Sequence, residues 1–218
     1  MAAMSKDFFS KIYDHHTWLG QSLSGPGSDA DRTIEFRSLL ELFLSSHSIQ
    51  SVVDLGCGDW SYSQLINWDG VKYTGIDVVE SVIEKNQLQY AKPNITFLCA
   101  DAASQDIPMA DLLIVKEVLQ HLPNKDVQAI LEKAQTYPFA IFVNDISHHI
   151  RGNWKQLWRS RPICPTNTDI KPGGYRLLSL REPPFSLNAT QILTYGNKYK
   201  TRHWEKEVLL WTRPKKDA

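Results

Sequence analysis

Residues 51 to 61 read Ser-Val-Val-Asp-Leu-Gly-Cys-Gly-Asp-Trp-Ser. The short apolar run from Val52 to Leu55 reads as a buried strand, and it ends at Gly56 and Gly58, where the chain can turn tightly and ligand atoms can approach the backbone with no Cβ in the way. The run from Gly56 to Ser61 has the form GxGxxS, close to the GxGxxG of dinucleotide sites, a weak signal by itself. Three features separate it from that motif: Ser61 replaces the third glycine, Asp54 stands two residues before the first, and Asp59 follows the second. Two carboxylates beside the turn repel a pyrophosphate. They suit an ammonium group or, through water, a sulfonium-bearing amino acid.

Downstream of this turn the pattern repeats. Short apolar runs (KYTGID, ITFLC, DLLIVK, FAIFVND) alternate with amphipathic stretches (YSQLINW, VESVIEKNQLQY, KDVQAILEKAQ), the rhythm of βαβ units around a parallel sheet covered on both faces. Asp77 ends the second run 19 residues past Gly58, near the ~20-residue interval at which an acidic side chain reaches ribose hydroxyls. Asp101 ends the third and can accept a hydrogen bond from an exocyclic amine such as that of adenine. Structural roles compete: Asp77 as a cap for the following helix, Asp101 as a turn residue.

The stretches DLGCGDW, YTGID, CADAA and LLIVKEVLQHLP are similar to the successive motifs of class I S-adenosylmethionine-dependent methyltransferases, over roughly residues 50 to 145. The resemblance implies a loop of Asp54, Gly56, Cys57, Gly58 and Asp59 around the methionine part, Asp77 with Val78 at the ribose, and Asp101 with Ala102 bordering the adenine. Lys116 joins this cofactor set, with a solvated or loop-pairing cation as its other reading. The segments WLGQSLSGPGS and NTDIKPGGYRLLSLREPPFSL resemble a little-studied bacterial subset of the same family. That likeness implies an N-terminal arm with Trp18, Ser24, Gly25 and Gly27 folding over the cofactor. It also places Thr33 and Arg37 near the site, with Arg37 toward the methionine carboxylate.

The expected fold is therefore α/β, a Rossmann-like three-layer sandwich whose seven-stranded sheet is mostly parallel and ends in a C-terminal antiparallel hairpin, QILTY with EVLLWT. One domain of 218 residues is expected: an arm and cofactor lid over 1–30, a cofactor-binding core over 31–145, a substrate-covering region over 146–190 and a closing hairpin over 191–218. Ile34, Leu39, Leu40, Phe43 and Leu44 recur at helical spacing, with Ser28 or Asp29 as the cap.

His121, after the fourth strand, is the first candidate for a general base, having an unperturbed pKa near ~6.5; a loop histidine bonded to backbone is its structural alternative. Glu117 and Asp145 complete the catalytic candidates, with His148, His149, Trp154, Trp158 and Tyr175 in the region expected to cover the acceptor. Lys198, Lys200, Arg202, His203 and Lys206 form a basic cluster, read as the polar tip of the hairpin in preference to a nucleic-acid track.

Lys and Arg number 24, as do Asp and Glu, so no global field draws in a polyanion. A small-molecule acceptor, an oxygen of a sugar or natural-product type, is favoured; a protein or RNA acceptor, or a cofactor-binding partner subunit without turnover, stays open. Cys57, Cys99 and Cys164 have neither disulfide nor zinc spacing, so no metal is expected and a reducing, cytoplasmic setting fits. No run of ~18 apolar residues signals a membrane span. The oligomeric state is not legible.

Overall fold

The computed structural model describes residues 2–18, 20–150, 165–199 and 202–214. Helix α1 (Ala2–Asp14) leads through an arm to α2 (Ile34–Ser46). The sheet strands are β1 (Ser51–Leu55), β2 (Lys72–Asp77), β3 (Ile95–Cys99), β4 (Leu112–Lys116), β5 (Phe139–Ile150), β6 (Thr190–Tyr199) and β7 (Arg202–Thr212). Helix α3 (Glu80–Tyr90) joins β2 to β3, and α4 (Asn124–Ala134) joins β4 to β5.

The seven strands lie in the order β3-β2-β1-β4-β5-β7-β6. Strands β1 to β5 run parallel, and β7 enters antiparallel between β5 and β6. This is the Rossmann-like, mostly parallel sheet with a closing antiparallel hairpin that the sequence implies. Because β1 is flanked by β2 on one side and β4 on the other, the winding reverses there, and the crevice at the carboxyl ends of β1 and β4 is where such sheets bind ligands.

Side chains alternate between two apolar layers. Val52, Tyr73, Leu112, Ile114, Ile141, Val143 and Val208 pack with Phe36, Leu40, Phe43 and Leu44 of α2, whose spacing puts them on one helical face. Val53, Leu55, Leu113, Val115, Phe142 and Leu209 pack with Val127, Ile130, Leu131 and Ala134 of α4 and with Leu178, Leu180 and Leu187. All five residues of β4 are buried, as a central strand covered on both faces requires.

Several expectations are corrected. The YSQLINW stretch forms only a 3-10 turn at Ser63–Leu65: Trp60, Tyr62, Ile66 and Trp68 enter the core without helical spacing, and Trp68 Nε1 donates to Ser63 O at 2.7 Å. Neither Ser28 nor Asp29 caps α2. Thr33 occupies that position without a side-chain cap bond, while buried Asp29 accepts the N–H groups of Gln21 and Ser22 and pairs with Arg32. Strand β5 does not stop at Asp145 but runs to Ile150 opposite the start of β7, with a register shift between Asp145 and Ser147. Most of the basic link NKYKTRHWEK is therefore strand. Trp154, Trp158 and Lys200 lie outside the described residues, as do the side chains of His148 and His149. No helix among the described residues is long and apolar enough to cross a membrane.

Candidate active site

The turn after β1 is held from three directions. Gly56 and Cys57 donate their N–H groups to Ile76 O at 2.7 and 3.0 Å, and Asn86 of α3 donates to Gly58 O at 2.7 Å. Gly58 has φ of +56°, and a Cβ there would overlap Ser24 Oγ of the arm; a Cβ on Gly56, at φ +76°, would overlap Val118. Cys57 is buried with its thiol pushed up by burial and by the Asp77 charge, a packing residue under the turn. Trp60 also has positive φ, +57°, and its buried indole packs between Tyr73, Tyr90 and Phe97.

Asp59 reaches the arm rather than the crevice. Its carboxylate accepts from Ser22 Oγ at 2.9 Å, Leu23 N at 2.7 Å and Ser24 Oγ at 3.1 Å, while Asp59 N donates back to Ser24 Oγ. Trp18, half-buried, lies against Gly25 and against the rings of Phe9 and Tyr13. Val78 packs in the same small cluster, with Tyr13 and Val82. Arg37 is turned to the arm's end, donating to Ala30 O at 3.1 Å and to Thr33 Oγ1 at 3.3 Å.

The carboxylates at the ends of β1, β2 and β3 have neutral partners. Asp77 accepts the N–H groups of Gly58 at 3.1 Å and Val79 at 3.0 Å; burial raises its pKa and these donors oppose the shift. Each oxygen keeps a lone pair for a ligand hydroxyl. Asp101 accepts Ala103 N at 3.0 Å, the turn geometry its alternative reading demands, and Ala102 is buried against the α4 layer. Asp54 lies beneath the turn, accepting Tyr73 OH at 2.7 Å and Ser63 Oγ at 3.4 Å; burial pushes it up to about 6, against the pull of Tyr73 and Lys116.

Across the crevice the carboxylates meet ammonium groups. Lys116 Nζ lies 2.6 Å from Glu117 Oε2, donates to Gly27 O of the arm at 2.8 Å and sits over the Tyr62 ring. Lys206 Nζ contacts Glu117 Oε1 and lies 2.5 Å from Asp145 Oδ1. Burial alone would raise Glu117, but Lys116 and Lys206 override it and hold the carboxyl at about 2. Burial likewise opposes the charge on Lys206, and Asp145 and Glu117 outweigh it, raising its pKa. The other oxygen of Asp145 accepts Gln120 Nε2 at 3.1 Å and Tyr175 OH at 3.0 Å.

His121 sits between Trp18 and Tyr175, with ring centroids 5.6 and 5.8 Å away. Its Nδ1 is 2.8 Å from Gly174 O. A carbonyl can only accept, so Nδ1 carries the proton and Nε2 keeps its lone pair. Burial lowers the imidazole pKa, partly opposed by the Gly174 bond and Asp145, which favours the neutral ring. The residues that fix this loop are Gly173, Tyr175 and Arg176: Gly173 N donates to His121 O, and Arg176, fully buried, donates to Leu122 O at 2.8 Å.

The arrangement thus brings Gly56, Cys57, Gly58, Asp77 and Val78 together at one end of the crevice and Lys116, Glu117, His121 and Asp145 at the other, with Asp59 clasping the arm that carries Gly25 and Trp18 against His121. Asp101 is on the same rim; Arg37 stands at the arm's base. Lys206, Asn86, Gln120 and Arg176 were missed. By sequence Lys206 belongs to the basic cluster of the hairpin tip, but its place two residues before buried Val208 on β7 puts both on one face. No group of three or more His, Cys, Asp or Glu side chains among the described residues is arranged to hold a metal.

Residues 52–137 match the model of a methyltransferase domain. Among curated relatives, the ubiquinone biosynthesis O-methyltransferase of Coxiella burnetii is 32% identical over 77 residues, 34% of this chain and 33% of that protein, so the chain spans about a third of the relative's length. Among solved structures, magnesium protoporphyrin IX methyltransferase from Synechocystis, with S-adenosylhomocysteine bound, superposes with a TM-score of 0.62 at 16% identity over 98% of this chain and 99% of that one. The 1,6-didemethyltoxoflavin-N1-methyltransferase of Burkholderia thailandensis gives 0.63 at 15% identity over 97% and 88%. At such identities the structural likeness establishes the fold.

Proposed function

We propose that this chain is an S-adenosylmethionine-dependent methyltransferase acting on a small molecule, with an oxygen nucleophile as the acceptor. The observation that carries the reading is the glycine turn: a positive-φ Gly58 pressed against the arm, beside an Asp77 carboxylate held only by backbone N–H groups, is a cradle for an amino-acid and ribose pair rather than for phosphates. The methyltransferase-domain match over 52–137 and relatives that are O- and N-methyltransferases support it.

S-adenosylmethionine supplies an electrophilic methyl group on a sulfonium. In this reading Asp77 with Val78 holds the ribose, Asp101 with Ala102 borders the adenine, and Gly56 and Gly58 line the methionine part. Asp59 acts by clasping the arm, Asp54 by supporting the turn from below. Lys116 closes the arm through Gly27 O, and Arg37, bonded to Ala30 O and Thr33 Oγ1, is the cation assigned to the methionine carboxylate.

His121 Nε2, with its lone pair fixed by the Nδ1 bond to Gly174, takes the acceptor's proton as the oxygen attacks. Glu117, held ionised by Lys116 and Lys206, positions that side of the crevice together with Asp145. Alignment of the reacting groups supplies ~7–11 kcal/mol of barrier lowering, and the base a further ~10²–10⁴-fold.

Incubation with methyl-labelled S-adenosylmethionine and a panel of phenols and sugar-type alcohols tests this. Label should enter at least one oxygen acceptor with release of S-adenosylhomocysteine. Transfer confined to RNA or protein would displace the small-molecule reading, and cofactor binding without transfer to any class would favour a partner subunit without turnover.

A further inference from the structure

Lys206 joins parts of the molecule that the chain keeps far apart. Its side chain is 2% exposed and touches Glu117 at the end of β4 and Asp145 in β5, residues 89 and 61 positions away. Glu117 passes the contact through Lys116 to Gly27 O of the arm. Asp145 passes it to Tyr175 and Gln120, whose segment and loop hold His121. The cluster contains two cations and two anions and is neutral within itself.

Two features show that this geometry is imposed. Glu117 adopts φ of +58°, a left-handed conformation unfavourable for a non-glycine residue that persists only where the surroundings over-determine it. A Cβ on Gly27 would overlap the Glu117 carboxylate, so the arm reaches this close to Glu117 only because a glycine stands there. A lysine buried here also carries a desolvation penalty that an apolar residue on the same face, such as Val208, avoids.

We infer that Lys206 is a positioning residue that sets both sides of the crevice at once, fixing Glu117 and through it the arm, and fixing Asp145 and through it Tyr175 beside His121. This rests on the reading that the arm and glycine turn hold S-adenosylmethionine. The groups facing Lys206 are Lys116 and Glu117 from β4, His121 and Gln120 from the loop that follows, Asp145 from β5, Tyr175, and Tyr195 from β6, which lies near both carboxylates. Removing the ammonium leaves two carboxylates to share one cation. Glu117 then keeps one of the two cations that hold its carboxyl low, its pKa rises from that depressed value, and the arm loses part of its hold.

The test uses S-adenosylhomocysteine as the probe, titrated calorimetrically into wild type and Lys206→Met at about pH 8 and about pH 6, with hydrogen exchange of residues 20–29 measured without ligand. The variant should bind about 5- to 150-fold more weakly, with the larger loss at the lower pH, and residues 20–29 should exchange faster while α2 and α3 do not. Wild-type affinity at both pH values with unchanged exchange of the arm would overturn the inference. Failure of wild type to bind the probe would instead sink the cofactor reading, and the exchange measurement would still decide the role of Lys206. Should Lys206→Met not fold, Asp145→Asn with Lys206→Met restores neutrality; Glu117 still lacks its Lys206 contact there, so that double variant should fold and show fast exchange in the arm, now with little difference between the two pH values because no second carboxylate competes for Lys116, and slow exchange there would refute the proposal.

Discussion

The two ends of the crevice hold their carboxylates by opposite means. At the ends of β1 and β2, Asp54, Asp59 and Asp77 are met by hydroxyl and backbone N–H donors, all neutral, and the pKa values of Asp54 and Asp77 are pushed up. At β4, β5 and β7, Glu117 and Asp145 are met by lysine ammonium groups, and Glu117 is pulled down to about 2. Neutral partners leave a carboxylate with lone pairs for a ligand's hydroxyls. Charged partners fix it in place. At the first end Asp77 keeps lone pairs to receive a ligand while Asp54 and Asp59 hold the turn and the arm; at the second both carboxylates hold shape.

The contrast is broken most severely by Glu117→Leu, which takes from the buried Lys116 and Lys206 the carboxylate they share. Loss of one partner of such a pair should cost about 3–5 kcal/mol in denaturant unfolding. Because the folded pKa of Glu117 is depressed, its contribution is present above its unfolded pKa of 4.5 and fades as pH falls toward about 2, so the variant's deficit should shrink across that window.

His121→Phe keeps a ring between Trp18 and Tyr175 but removes Nε2. Methyl transfer to an oxygen acceptor should fall about 10²–10⁴-fold while S-adenosylhomocysteine binds nearly as before. An equal loss of binding and transfer would make the histidine a packing residue.

At the other end the sign reverses. Asp54 has a raised folded pKa, so its contribution is fully present below the unfolded value of 3.8 and lost as pH rises through about 6. Relative to wild type, Asp54→Asn should therefore gain roughly 1–3 kcal/mol between about pH 4 and about pH 8. A flat difference across that range would mean that Asp54 ionises without penalty. The smallest effect is expected for Asp101→Asn, whose amide oxygen can still accept Ala103 N: cofactor affinity should drop only about two- to tenfold.

The same contrast explains what the sequence discloses. Asp54, Gly56, Gly58, Asp77 and Asp101 announce themselves because each stands at or just past the carboxyl end of a strand, and the parallel sheet is implied by the alternation of apolar runs and helices. The Lys206 contacts are invisible to spacing, since they arise only when β7 inserts beside β5 and brings together positions 61 and 89 residues apart. Arg176 was hidden likewise: a lone arginine after Gly173 and Gly174 gives no sign that it is buried on the carbonyls of Leu119 and Leu122. The YSQLINW stretch misled because aromatic residues entering the core singly mimic an amphipathic count.

The most direct test of the account is calorimetric titration of the wild-type protein and Asp77→Ala with S-adenosylmethionine and with NAD. Micromolar binding of S-adenosylmethionine that disappears in the folded variant, with NAD ignored, is the predicted result. Absence of S-adenosylmethionine binding by folded wild-type protein, or binding of NAD in its place, would contradict it.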